Sequence, residues 1–171
     1  MAREYDRRQM SALAWPGAEL AQQGGMPPAV GALAAELLPR APQLARGMTD
    51  HLVANMPELS AGDDDLREET RASVEGNVDQ VLRLLKLGAG ADALVVPPDA
   101  AENVRGLVRR GITLAVLLRT YRLGHAWFWD VWCEALTQRV ADLTELLVAQ
   151  DQSSAFLFAY IDGISGVLVD A

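Results

Sequence analysis

The chain has 171 residues, of which 50% are hydrophobic and 22% are charged, and its formal net charge at pH 7 is −8. A length of this order is typical of one domain with its own core, and the acidic surplus argues against direct nucleic-acid binding, since phosphate contacts need an excess of Lys and Arg. No apolar run approaches the roughly 20 residues of a membrane helix, and the single cysteine, Cys133, fits a reducing cytoplasm.

The first part of the chain predicts a leader followed by two short helices. Residues 1–27 combine charged residues with Pro and Gly breakers, and no apolar period survives there, so we predict a mobile leader. From Val30 the apolar residues recur at helical spacing as far as Leu38, where prolines stop the pattern. The same period predicts a second helix over about 43–56, which Pro57 ends.

A long third helix is predicted to begin in the acidic run at 63–69. Negative charge at a helix start is favourable, and Asp65 and Glu68 have the spacing of a capping box. Gly88 is placed to end this helix.

Three further helices are predicted in the second half of the chain. Asp99 can cap a fourth helix, which Gly111 closes. Thr113 can cap a fifth helix over Leu114–Val140, which would be the longest and central element. A final periodic segment begins near Phe156 and is still apolar where the sequence stops.

These segments together predict the fold class. No convincing strand or hairpin signal competes with them, so we expect an all-α fold. We expect a single bundle of about six helices over residues 28–171, organised around the long central helix. Because the apolar period still runs at Ala171, we also expect the natural protein to continue into a further domain.

The central helix carries apolar residues on two faces. Leu123, Trp127 and Val131 lie on the opposite side from a broad apolar stripe, so the helix needs two partners. The second face is covered either within the chain or by another subunit. In the second case these three residues would form a homodimer interface, and Trp127→Ala would change the molecular mass without disturbing the fold. The stripe consists of Leu114, Leu117, Leu118, Tyr121, His125, Phe128, Trp129, Trp132 and Leu136.

His125 is the residue of this stripe with the most chemical possibilities. It could be a core histidine bonded to a carbonyl or a tyrosine, a contact to a small-molecule ligand, a pH switch or an axial haem ligand. A ligand there would be bound by Tyr121, Arg122, His125 and Trp129. One histidine on one helix is no haem signature, however.

Gly124, beside His125, is unfavourable within a helix by about 1 kcal/mol relative to Ala. We therefore expect it to permit a close helix crossing or to leave room for a ligand.

Charged residues near the stripe have ordinary and functional interpretations. Arg119 and Arg122 could form ion pairs with the acidic run at 63–69, or could bind an anionic metabolite or an acidic partner. Asp130 and Glu134 are interpreted as solvated. The sequence contains no dinucleotide-binding, P-loop, zinc-protease or nucleophile-elbow motif. We therefore predict no enzyme, no catalytic residues, no metal and no cofactor.

Three segments of the chain resemble one known family. They are RRG at 109–111, LLRTYRLGHAWFW at 117–129 and FLFAYID at 156–162. Together they resemble the RsbRD-type N-terminal helical domain, over about residues 43–171. In bacteria this domain often precedes a PucR/CdaR-like regulator, so the resemblance implies a sensory or interaction module in front of a GGDEF-like domain and a C-terminal helix-turn-helix. It implies no catalytic residues and no assigned ligand.

A more distant similarity is to the RsbR-type stressosome proteins, whose N-terminal module has a globin-like helical fold without haem. It implies a globin-like architecture and dimerisation through long helices. We therefore expect a non-enzymatic sensory or dimerisation domain of a cytoplasmic transcriptional regulator, transmitting its signal by repacking of helices. The alternative is a globin-like carrier of a small ligand or haem, with a pocket around His125.

Overall fold

The computed structural model describes residues 25–59, 64–89 and 111–170, together with Gly106 and Arg109. These residues include five α-helices and two 3-10 turns, and none of them lies in a β-strand, which confirms the all-α prediction. The helices are α1 (Pro28–Leu37), α2 (Ala41–Asn55), α3 (Asp64–Leu87), α4 (Leu114–Arg139) and α5 (Leu143–Asp170).

The prediction of about six helices is not confirmed, for two reasons. The 3-10 turn Leu38–Arg40 joins α1 to α2 without a loop, so the described residues form four helical rods. Pro39 lies in that turn and Pro42 in the first turn of α2, where a missing N–H costs no hydrogen bond. The predicted helix from Asp99 to Gly111 lies outside the described residues except at three positions. A globin-like arrangement of these rods stays a prediction.

Local geometry confirms the predicted helix boundaries at Gly88 and Thr113. Gly88 and Gly111 have φ angles of 62° and 81°, values that favour glycine. The Gly88 and Ala89 amides donate to carbonyls of the last turn of α3, as in a Schellman motif. Thr113 accepts a hydrogen bond from the Val116 amide at 3.4 Å and caps α4.

Two helix starts differ from the prediction. Asp65 is not a cap, because α3 already begins at Asp64, and Glu68 forms an ion pair with Arg71 at 2.6 Å instead of reaching back. The final helix begins at Leu143 rather than near Phe156.

The early start of α5 has an identifiable local cause. The Asp142 carboxylate accepts a hydrogen bond from the Glu145 amide at 2.8 Å, which satisfies a free donor of the first turn. The first turns expose Leu143 and Leu147 but pack Leu146 against the core, so the large apolar residues of this half do not share one buried face.

The core lies between two groups of helices. α3 packs against α1 and α2, whereas α4 packs along α5 and crosses α1 and α2. α3 and α4 have few direct contacts. Residues 1–24 of the predicted leader lie outside the described residues, and Met26 packs against the core beside Gly88. The largest fully buried side chains are Trp132, Tyr160, Leu52, Met56, Leu82, Leu85, Leu136 and Ile164.

Candidate ligand cavity

A cavity of about 100 Å³ lies where α3 faces α4, with α2 and α5 completing its walls. Most of its lining is aliphatic or aromatic. It therefore has the apolar character of small-molecule sites, in which a few polar groups fix orientation. The apolar lining side chains are Met48, Leu52, Leu59, Val74, Val78, Val81, Leu117, Phe128, Leu157 and Ile161.

Seven lining side chains are polar, and no Asp, Glu, Lys or Arg is among the described residues that line the cavity. The polar side chains are Thr70, Ser73, Asn77, Thr120, Tyr121, His125 and Tyr160. They come from α3, α4 and α5, so the cavity places polar groups of three helices around one space.

A hydrogen-bonded cluster centred on Asn77 joins three helices beside the cavity. The Tyr160 hydroxyl on α5 lies 3.1 Å from Asn77 Oδ1 and 3.0 Å from Gln80 Oε1, and it donates to one of them at a time. The Tyr121 side chain on α4 also hydrogen-bonds to Asn77. The Asn77 Nδ2 group donates to the Ser73 carbonyl at 2.8 Å. The cluster thus links α3 to both α4 and α5.

Both tyrosines of this cluster are held in their neutral form. Burial raises the pKa of Tyr121, and the hydrogen bond to Asn77 offsets only part of that rise. Burial also raises the pKa of Tyr160 well above its ordinary value, and the neighbouring Tyr121 raises it further. Since neither ionises near neutral pH, they act as hydrogen-bonding hydroxyls.

Thr70 differs from Thr49 and Ser153, two other buried hydroxyl residues in the part of the chain that the structure describes. Thr49 and Ser153 donate to the carbonyl four residues earlier in their helices, at 2.8 Å and 2.7 Å. The Thr70 side chain also lies in a helix and is only 4% exposed, yet its Oγ1 has no partner among the described residues. An unsatisfied buried hydroxyl costs about 1–3 kcal/mol. Thr70 therefore offers a free hydrogen-bonding group to the cavity.

His125 lies at the edge of the cavity and not in the middle of the core. Its side chain is partly buried, and its ring centroid lies 4.9 Å from that of the exposed Phe158. Burial lowers the pKa of His125 below 6.5, so the imidazole is neutral at physiological pH. It can therefore donate one hydrogen bond and accept another without bringing charge into the cavity.

The comparisons with known proteins identify a family. The family model described as "RsbT co-antagonist protein rsbRD N-terminal domain" matches residues 42–171. The chain belongs to this family. The matched range includes every residue that lines the cavity, and membership indicates a regulatory, sensory domain. The comparisons with curated proteins and with solved structures each gave no significant match.

The described residues of this RsbRD N-terminal domain contain neither a helix that could span a membrane nor a group of metal-ligating side chains. None of their helices combines the length and hydropathy needed to span a membrane. In the same part of the chain, no three His, Cys, Asp or Glu side chains are grouped as metal ligands.

The four predicted ligand-binding residues of the RsbRD N-terminal domain do not lie together. Tyr121 and His125 line the cavity, one helical turn apart. Arg122 is exposed, and Trp129 packs against the core outside the cavity lining. An α-helix turns by roughly 100° per residue, so the face of α4 that lines the cavity is centred between the directions of Tyr121 and Phe128. The Trp129 side chain leaves the helix in a different direction and does not face the cavity. The predicted stripe is too broad to separate these two directions.

The predicted interface residues take part in packing within the chain. Leu123 and Trp127 are partly buried against the core, and Val131 is partly buried as well. Trp127 lies over Gly47 of α2, where an added Cβ would come within 2.9 Å of the ring atom Cζ2. These contacts support coverage of the second face by the chain itself. A role of the three residues in an interface stays a prediction.

Gly124 has both of the features expected from its sequence position. An added Cβ would lie 3.2 Å from Met48 Sδ, which shows that α2 and α4 approach closely there. The residue also lines the cavity. A larger residue would therefore meet Met48 or take space from an occupant.

Among the charged residues of α4, Asp130 and Glu134 agree with the interpretation given above, but Arg119 does not form the expected ion pair. Arg119 donates to the Asn55 carbonyl at 3.2 Å, at the end of α2, and not to a carboxylate of the acidic run. Asp130 and Glu134 are exposed, as their interpretation as solvated residues requires.

Sequence reasoning missed the polar residues that α3 contributes. Thr70, Ser73 and Asn77 lie at positions i, i+3 and i+7, within the same helix face as the buried Val74 and Val78. Small polar residues inside an apolar stripe are the signal that could have indicated a cavity on that face.

Proposed function

We propose that this RsbRD N-terminal domain is a non-enzymatic sensory module of a cytoplasmic transcriptional regulator. Its signal is a small molecule bound in the cavity between α3 and α4. The observation that carries the proposal is the position of this cavity between α3 and α4, two helices that otherwise have few direct contacts. Family membership supports the regulatory role.

The proposed mechanism is a change in how α3 packs against α4 and α5. An occupant of the cavity contacts α3 on one side and α4 on the other, so it favours the arrangement in which both walls touch it over one in which the empty cavity has closed. A ligand shifts such an equilibrium only by its difference in affinity for the two arrangements. The Asn77 cluster already connects α3 to α5 through Tyr160, which gives α5 a path to respond.

Haem binding, the alternative function considered for His125, does not fit this cavity. Cofactor-sized ligands occupy sites of roughly 300–1,000 Å³, whereas this cavity measures about 100 Å³. We therefore place a smaller molecule in it.

Hydrogen exchange of the whole chain tests the sensory mechanism through substitutions that imitate an occupied cavity. Ser73→Leu places an apolar side chain in the cavity, and Ala72→Leu on the exposed side of α3 is the matched control. We expect Ser73→Leu to slow amide exchange in α3 and also in α5 beyond Tyr160. Val78→Ile is a milder filling variant in case Ser73→Leu fails to fold. Slower exchange confined to α3 in both filling variants would contradict the mechanism.

The proposal includes a homodimer, and α5 offers a surface for it. Leu143, Leu147 and Phe158 are exposed by 67%, 36% and 65%, and helical spacing places them along one stripe. Exposed large apolar residues in a row are a common feature of contact surfaces. Native mass spectrometry of the chain and of Leu147→Asp tests this: we expect a dimer that the substitution dissociates, and a monomeric wild type would contradict it.

A further inference from the structure

The chemistry of the cavity restricts which molecules can occupy it. We infer that its ligand is a neutral, mostly apolar molecule of about six to eight non-hydrogen atoms, with one hydroxyl or carbonyl oxygen placed against Thr70 Oγ1. This inference rests on the proposed sensory role and specifies the ligand class.

The ligand is neutral because the cavity offers no opposite charge. The described lining contains no carboxylate, ammonium or guanidinium group. An ion that leaves water without a partner pays a large desolvation penalty. Burial lowers the pKa of His125 and raises the pKa of both tyrosines, so the neutral forms are favoured and the lining itself carries no charge near pH 7.

The size of the ligand follows from the volume. An apolar protein cavity of about 150 Å³ is known to bind benzene, and the present cavity, at about 100 Å³, is of the same order. One six-membered ring, or an open chain of similar size, is therefore the largest group that the enclosed space accepts, and a small substituent can extend toward the side of the cavity that is open to solvent.

The polar group of the ligand follows from the hydrogen bonds already present. Asn77, Tyr121 and Tyr160 bond to one another or to neighbouring groups and need nothing from a ligand. Thr70 Oγ1 is the buried side-chain atom of the described cavity lining that lacks a partner. A hydroxyl both donates and accepts, so a hydroxyl or carbonyl oxygen on the ligand satisfies it.

Three probes of similar size separate these requirements. Phenol is neutral and carries a hydroxyl, benzene lacks the polar group, and pentanoate, which has as many non-hydrogen atoms as phenol, carries a charge. Calorimetric titration of the full chain is expected to show that phenol binds about fivefold more tightly than benzene, as one added hydrogen bond predicts. Pentanoate is expected not to bind.

Two matched variants test the role of Thr70. Thr70→Val replaces the hydroxyl by a methyl group of similar size, so benzene binding should persist while the preference for phenol disappears. Thr49→Val removes a hydroxyl that is bonded to the Ala45 carbonyl outside the cavity, and the preference should persist there. The melting temperature of Thr70→Val should equal or exceed that of the wild type, since an unsatisfied polar group is removed.

Three outcomes would overturn the inference: no binding of any probe, binding of pentanoate as tight as that of phenol, or an unchanged phenol preference in Thr70→Val. These outcomes are distinct from failure of the sensory mechanism. If phenol binds as expected but neither filling variant changes exchange in α5, the ligand class stands and the mechanism fails. If exchange in α5 changes but no probe binds, the mechanism stands and the ligand class fails.

Discussion

The two sides of α4 are packed in different ways. On the side of α2, Trp127 lies over Gly47 and Met48 lies against Gly124, so that each helix offers a glycine to a large side chain of the other. On the side of α3, the helices are separated by a cavity of about 100 Å³. The contact between α2 and α4 is so close that an added Cβ would meet a side chain, whereas the space between α3 and α4 leaves room for a small molecule.

This difference indicates which part of the domain can move. Protein interiors are normally packed to the density of organic crystals, and rearranging such a contact is costly. The α2–α4 crossing is of this kind and fixes α4 in place. Closing the cavity against α3 would instead gain contacts, so a movement of α3 relative to α4 meets less resistance. The proposed signal therefore acts on the loosely packed side.

Removal of the Trp127 ring should destabilise the close contact between α2 and α4 more than any other substitution considered below. Trp127→Ala removes a large ring that is partly buried over Gly47, and we expect a loss of about 2–3 kcal/mol in the free energy of unfolding, less than for a fully buried Trp. Urea denaturation measures it, and native mass spectrometry shows whether the subunit number changes. A changed mass with unchanged stability would instead support the interface role of Trp127.

The two glycines of the crossing respond differently to the same substitution. In Gly47→Ala the new Cβ meets an aromatic ring at 2.9 Å, and overpacking of about 1–3 kcal/mol exceeds the roughly 1 kcal/mol gained in helix propensity. In Gly124→Ala the neighbour is the end of a flexible Met48 side chain at 3.2 Å. We expect Gly124→Ala to be neutral or stabilising by up to about 1 kcal/mol. Equal melting temperatures of the two variants would contradict this distinction.

The helices could be predicted from the sequence because their signals are local. Gly88, Gly111 and Thr113 act through the conformation and hydrogen bonds of a single turn, which one sequence displays directly. The start of α5 could not be found from apolar spacing, since Leu143 and Leu147 are exposed there. Asp142 and Glu145 carry a capping signal that the apolar pattern does not support.

The cavity could be predicted only in part because it depends on which helices face each other. Tyr121 and His125 are predictable, since they lie on the apolar stripe of α4. Thr70 and Asn77 become site residues only when α3 is placed opposite α4, and a single sequence does not reveal that pairing. Because the apolar stripe of α4 is wide, the sequence does not show which part of it faces the cavity. For this reason Trp129 is among the predicted ligand-binding residues.

A single added methylene distinguishes the two kinds of packing more finely. Val78 lines the cavity, whereas Val30 on α1 is fully buried and is not part of its lining. We expect Val78→Ile to raise the free energy of unfolding by about 1 kcal/mol, because the methylene fills vacant space. Val30→Ile should lower it by about 1 kcal/mol or more through overpacking. Thermal melting of both variants measures the effect, and destabilisation by Val78→Ile would show that the cavity cannot accept even this small group.

The smallest expected effect concerns pH and the edge of the cavity. Burial lowers the pKa of His125 below 6.5 in the folded chain, so between that lowered pKa and 6.5 the unfolded chain binds more protons. Stability is therefore complete above about pH 6.5 and falls as the pH drops toward the folded pKa, below which this contribution is lost. Urea denaturation at about pH 7.5 and about pH 5.5 measures the change.

Two variants assign this pH dependence to its source. His125→Gln should reduce the difference in stability between the two pH values, because the buried imidazole is gone. His51→Gln, on α2 and away from the cavity, should leave the difference caused by His125 in place. If instead the free energy of unfolding changes between the two pH values by the same amount in His125→Gln and in the wild type, the cavity edge is hydrated enough to accept a charged imidazole. In that case only the other side chains of the lining would disfavour a charged ligand.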